Sequence, residues 1–260
     1  MTAWQLLALA ASAAGGGFMN ALAGGGTILT FPTLILLGVP AIQANATSTV
    51  ALLPGAAASL AGYRREVATH RAWLRTLLLP SLLGGALGSV LLLATPERTF
   101  AALAPWLVLF ATLLFLFQVV TSRRREGATD ATTAPVPRLA DRLLLATVCQ
   151  FAVAVYGGYF GAGIGILMLV ILGFLGLQDI HAMNGLKNFF GICINGLAAG
   201  YFVWRGAVIW PLALVMLAGA VAGGYFGAHF ARRIGRERAR IAVVAIGFFV
   251  TAVLLWQRAG

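Results

Sequence analysis

Apolar residues run almost without interruption along this chain, broken at intervals by short polar or glycine-rich stretches. A bilayer-spanning helix needs about 20 apolar residues, and on that measure the first half predicts five segments, at about 3–22, 27–39, 46–63, 73–94 and 100–121. A polar stretch follows, 122–138, with Arg123, Arg124, Arg125, Pro135 and Pro137; it is too short and too polar to fold alone and is expected to be an extended connection. The second half predicts five segments again, at about 139–159, 162–177, 183–204, 207–230 and 239–256. In both halves the second segment is short and follows a glycine-rich entry. The expected organisation is therefore a first transmembrane repeat at 1–121, a cytoplasmic linker at 122–138 and a second repeat at 139–260.

The register that sets Gly25 on Gly163 aligns the halves without a gap. In it Ile28 meets Ile166, Gly38 meets Gly176, and Gly62-Tyr63 meets Gly200-Tyr201. The repeated segment lengths, glycine entry and Gly-Tyr exit point to duplication. Arginine orients the chain. Arg64, Arg65, Arg71 and Arg75 fall in one loop, the linker and its exit hold five arginines, and Arg232, Arg233, Arg236, Arg238 and Arg240 fall in another. Opposing loops carry only Arg98 or Arg205. With the rich loops in the cytoplasm, both termini lie outside. Five crossings per half, or three if the first two segments form a re-entrant hairpin, are both odd, so the halves are expected to be inverted. The predicted fold class is an all-α integral membrane protein with two inverted repeats of about five helical segments and short or broken Gly-rich helices, the architecture of secondary transporters.

Composition agrees. Of 260 residues, 60% are hydrophobic and 10% charged, with a mean hydropathy of +0.93, far from the quarter or so of charged residues usual in soluble domains. The net charge of +11 resides in short arginine clusters without interleaved aromatics, which points to anionic lipid and not to nucleic acid. Cys149 and Cys193 sit in apolar runs without ligand spacing. The first thirteen residues end in an Ala-Ser-Ala stretch like a processing site but lack a basic lead-in, and the opening segment is expected to be a retained helix.

Chemistry concentrates in N-G-L-K-N-F-F-G-I-C-I-N, residues 184–195, which holds the chain's sole lysine. Polar groups are costly in a membrane and are functional candidates by default. At a helix start, with Asn184 and Asn188 beside it, Lys187 would build an anion site; the other readings are snorkelling to the headgroups or pairing with Asp179. The matching place in the first half holds Asn45, Thr47, Ser48 and Thr49, which are donors for the same ligand or, individually, ordinary helix caps. The glycine runs around Gly25 and Gly163 either pack helices or break them and expose backbone N–H groups, with Asn20 as a further candidate contact. Gly219, Gly223 and Gly227 are expected to be packing glycines. His181, beside Asp179, is either a coupling residue or a surface cap. No P-loop, metal-ligand spacing or nucleophile–base motif is present, so no enzyme activity, metal or cofactor is expected.

The stretch G-G-G-F-M-N-A-L-A-G-G-G-T-I-L-T-F-P-T-L-I-L-L-G-V-P-A-I-Q-A-N-A-T-S-T, with G-G-Y-F-G-A-G-I-G-I-L-M-L and A-M-N-G-L-K-N in the second half, resembles the sulfite exporter TauE/SafE family of membrane permeases. The resemblance covers nearly the whole chain. It implies a bacterial inner-membrane protein that moves sulfur-containing anions: sulfite, sulfoacetate or other organosulfonates. Its partners would be a small anion, the lipid bilayer and a second copy packed through a Gly-rich face. The rival functions are an anion or small-solute channel and a membrane partner or sensor without transport.

Overall fold

The computed structural model describes residues 2–22, 25–61, 64–126, 143–177, 179–234 and 236–259. Most of the linker, Gly24, Gly62 and Tyr63 lie outside them, as do the surroundings of Gly227 and the side chains of His229 and most of the clustered arginines.

The described residues form eleven helices and no strand. They are α1 (Ala3–Leu22), α2 (Thr27–Leu36), α3 (Ala41–Ala61), α4 (Arg64–Thr69), α5 (Arg71–Ala94), α6 (Glu97–Glu126), α7 (Leu143–Tyr159), α8 (Ile164–Phe174), α9 (Ile180–Trp204), α10 (Trp210–Ile234) and α11 (Arg236–Ala259). Ten match the predicted segments. The short α4 was not predicted, because hydropathy carries no signal for a single turn and a half of polar and small residues. α6 also runs into the expected linker, through Arg123–Arg125. α5, α6 up to Thr121 and α9 from His181 are long and apolar enough to cross a bilayer. Leu79, Leu83 and Leu87 on α5 and Trp106, Phe110 and Phe117 on α6 are exposed, as lipid-facing side chains are.

α2 and α8 have 10 and 11 residues. At 1.5 Å per residue they rise only about 15–17 Å, half the ~30 Å hydrocarbon core, so neither crosses alone. Their starts meet. A Cβ on Gly25, which precedes α2, would lie 3.5 Å from the amide nitrogen of Gly163, the N-cap of α8. Both glycines have positive φ, 129° and 78°, where an L side chain is strained. Gly38 and Gly176, which follow α2 and α8, also share positive φ. The positive-φ turns therefore recur in the register that aligns the two halves.

Helix pairing repeats too. α1 packs on α10 and its counterpart α7 on α5, the counterpart of α10; α3 packs on α10 and α9 on α5; α3 and α9 pack on each other. Each half thus lays its first helix against the fourth predicted segment of the other half. The approach is close: a Cβ on Gly223 would strike the carbonyl of Ala14, and one on Gly88 the carbonyl of Val155. Gly219 meets Ala10 in the same way, as expected of packing glycines in membranes, where small residues let backbones approach. Two apolar clusters fill the interior. The larger contains the edge-to-face rings of Phe31, Phe100 and Phe160, and the smaller Leu77, Met168 and Phe190.

Candidate functional site

α3 and α9 each turn one face toward a shared cavity whose remaining walls are the starts of α2 and α8. From α9 come Lys187, Asn188, Gly191, Ile192 and Asn195, one helical face by their spacing. From α3 come Thr49, Leu52, Leu53 and Ala56, also one face. Asn20, Gly25 and Thr27 line it at the α1–α2 turn, and Gly161, Ile164 and Gly165 at the α7–α8 turn. Its volume is about 60 Å³ as the space open to centres of water-sized spheres. A single water needs at least about 10–15 Å³ on that measure, so there is room for a few waters or one small ion.

Lys187 is 3% exposed. A lysine snorkelling to the headgroups would keep its ammonium in water; this one is enclosed, and its Nζ donates to Asn184 Oδ1 at 3.3 Å. Nor does it pair with Asp179. That carboxylate is exposed and caps α9 by accepting from the His181 backbone N–H at 2.8 Å. Asp179 and His181 lie outside the cavity lining, and among the described residues no acidic side chain belongs to that lining. Lys187 is not at the helix start that the sequence predicts: α9 begins at Ile180, so Lys187 sits two turns inside the helix, where its own N–H is committed to the helix ladder. The helix starts at the cavity are those of α2 and α8.

The first-half cluster divides. Thr49 lines the cavity, with its hydroxyl bonded back to Asn45 O at 2.9 Å. The other three are not brought into the lining. Thr47 Oγ1 accepts from the Ile209 N–H at 3.1 Å and pins the approach to α10. Ser48 bonds Thr30 at 2.6 Å and ties α3 to α2. Asn45, 1% exposed, donates to Tyr159 O at 3.0 Å, and its Oδ1 has no partner. None of the four is a helix cap, because α3 begins at Ala41. Its first N–H groups, of Ala41 and Ile42, donate instead to the carboxylate of Glu97, at the start of α6. No sequence pattern announces a cap that comes from a different helix so far along the chain.

Asn20 shapes the site as well as lining it. Its Oδ1 accepts from both the Gly25 and Gly26 N–H groups at 2.9 Å, closing the turn into α2. Gly163 holds the matching turn and stands behind the lining. Asn195, in the singled-out stretch but not among the candidate contacts, does line the cavity; its i+8 spacing from Lys187 was the available signal. Leu52, Leu53 and Ala56 carried none, since in an apolar chain three more apolar residues are indistinguishable from core.

The family model described as sulfite exporter TauE/SafE matches residues 8–254. Among curated relatives, a probable membrane transporter protein of Haemophilus influenzae is 27% identical over 93% of this chain and 91% of its own length. A probable membrane transporter protein of Sinorhizobium, ORF9, is 26% identical over 92% and 88%. The probable membrane transporter protein YfcA of Escherichia coli K12 is 25% identical over 94% and 87%. No solved structure matches the chain.

Proposed function

The chain belongs to the sulfite exporter TauE/SafE family of multi-pass membrane proteins, and from that premise we propose that it is a secondary transporter for small sulfur-containing anions such as sulfite, sulfoacetate or other organosulfonates, working by alternating access. One observation carries the reading: the chain's sole lysine is buried on a cavity shared by both halves, among asparagine amides and the starts of two half-length helices. An ammonium enclosed in a membrane protein favours an anion in the cavity that it lines, and half-helix N-termini add positive potential. The arrangement suits an oxyanion whose oxygens take hydrogen bonds from Lys187, Asn188, Asn195 and the Asn20 amide.

On this reading the halves, 1–121 and 139–260, are inverted repeats joined by a cytoplasmic linker, in a bacterial inner membrane with both termini outside. The halves rock about the α3–α9 contact, and the cavity opens first to one face and then to the other. The relatives, bacterial proteins named as probable membrane transporters, support the transport class.

The test is counterflow in proteoliposomes. Internal unlabelled sulfite or sulfoacetate should accelerate entry of the labelled anion, which a channel does not do. Absence of trans-stimulation removes alternating access, and absence of any flux removes transport of these anions.

A further inference from the structure

The end of α7 gathers oxygens that have no donors. Past Tyr159 the chain turns, and the N–H groups of Phe160 and Gly161 both donate to Tyr156 O, at 2.9 and 3.2 Å. A continued helix would have sent the Gly161 N–H to Gly157 O; instead Gly157 O accepts no hydrogen bond among the described residues. Asn195 approaches the same place from α9. A Cβ on Gly161, which lines the cavity with a φ of 79°, would lie 3.1 Å from Gly157 O and 3.3 Å from Asn195 Oδ1. The two oxygens therefore flank one point that a glycine leaves open. Asn45 meets this helix end from α3. Its Nδ2 donates to Tyr159 O, while its Oδ1 is buried without a partner in a residue only 1% exposed. A buried acceptor left unmet is costly.

Acceptors without donors at the negative end of a helix dipole attract a cation, and the C-terminal ends of interrupted helices hold cations in this way in membrane proteins. We propose that the end of α7 binds a monovalent alkali-metal cation such as sodium, through Gly157 O and Asn195 Oδ1, with Asn45 Oδ1 as a third oxygen at that end. All three oxygens are neutral, and among the described residues no carboxylate belongs to the cavity lining. That set suits a single charge, whereas calcium sites are built with carboxylates. Lys187 and Asn195 are eight residues apart on α9, about 12 Å along the helix axis, which separates the cation from the ammonium. Asn195 uses its Oδ1 here and keeps its Nδ2 for an anion. Backbone and amide oxygens leave no ligand spacing in a sequence. On the transport reading above, this cation is the coupling ion; its binding is independent of that reading.

Melting of the purified full-length protein in sodium chloride and in choline chloride, at one total chloride concentration, tests this with anion binding held equal. Sodium should raise the melting temperature and saturate, because it binds the folded state; choline should not, and calcium chloride at matched chloride should do no better than choline. Asn195→Leu should weaken the sodium response at least about tenfold in apparent affinity, the scale of one oxygen contact to a charge. Asn195→Asp keeps an oxygen there and adds negative charge, so it should bind sodium at least as tightly as the wild type. A purely structural asparagine would leave the sodium response alike in both variants. Equal melting in sodium and choline overturns the proposal, as does a larger shift with calcium or an unchanged sodium response in Asn195→Leu. If Asn195→Leu does not fold, the salt comparison and Asn195→Asp decide. A failure here leaves the anion site standing, and absence of anion flux in proteoliposomes leaves the sodium response standing.

Discussion

Thr49 and Lys187 occupy equivalent positions in the two halves and line one cavity from α3 and α9. Positions that align between the two halves thus bring different groups, a hydroxyl and an ammonium, to one cavity.

Replacing Lys187 by Gln removes the charge and keeps much of the stem. Anion flux should fall at least about tenfold, the scale of one charge-assisted hydrogen bond of about 1.5–3 kcal/mol. The melting temperature is the separate check on folding, since Lys187 is buried and hydrogen-bonded to Asn184. Proteoliposome uptake and detergent melting curves read the two effects separately. Wild-type flux would remove the charge role.

Gly25→Ala should be more damaging than Gly163→Ala. Both put a Cβ on a backbone with positive φ, at a cost of about 1–2 kcal/mol. At Gly25 the new atom would also lie 2.5 Å from the Phe115 ring, whereas at Gly163 the nearest atom is Leu114 Cδ1 at 3.3 Å. Thermal unfolding of the two variants side by side gives the order, and equal losses would contradict the packing argument.

Asn20→Ala leaves two N–H groups at the α1–α2 turn without their acceptor. Each costs about 1–3 kcal/mol where water cannot replace it. The variant should unfold earlier and exchange the Gly25 and Gly26 amides faster, seen by hydrogen exchange. Protection equal to wild type would mean that the turn is held by packing alone.

Glu97→Ala strips α3 of its cap, with an expected loss of about 0.5–2 kcal/mol. Asp179→Ala should cost a similar amount at α9, whose cap comes from its own chain neighbour. A chemical or thermal melt of each variant checks the pair. No effect in Glu97→Ala would show that the carboxylate contact to Ala41 and Ile42 contributes nothing in solution.

Helix positions were legible because membrane helices announce themselves by composition: an unbroken apolar run has little alternative in lipid but to satisfy its backbone internally. The register that aligns the two halves was legible through the glycines, since Gly25, Gly163, Gly38 and Gly176 mark backbone conformations that other residues adopt only under strain. What each polar residue does was much less legible. Asn45, Thr47, Ser48 and Thr49 look alike as a string, yet successive residues of a helix point in different directions and meet different neighbours; one reaches the cavity and three tie α3 to α7, α2 and the approach to α10.

The sequence by itself determined an all-helical membrane protein, its segment order, the register that aligns its halves and the lysine that lines its cavity, because hydrophobicity, glycine and a single lysine are local signals. Only the tertiary structure decided that Lys187 is enclosed, that Asn195 joins it, that Glu97 at the start of α6 caps α3, and that the opposite wall of the cavity is apolar. Those are facts about which faces meet, and a face acquires its partner only when distant helices pack.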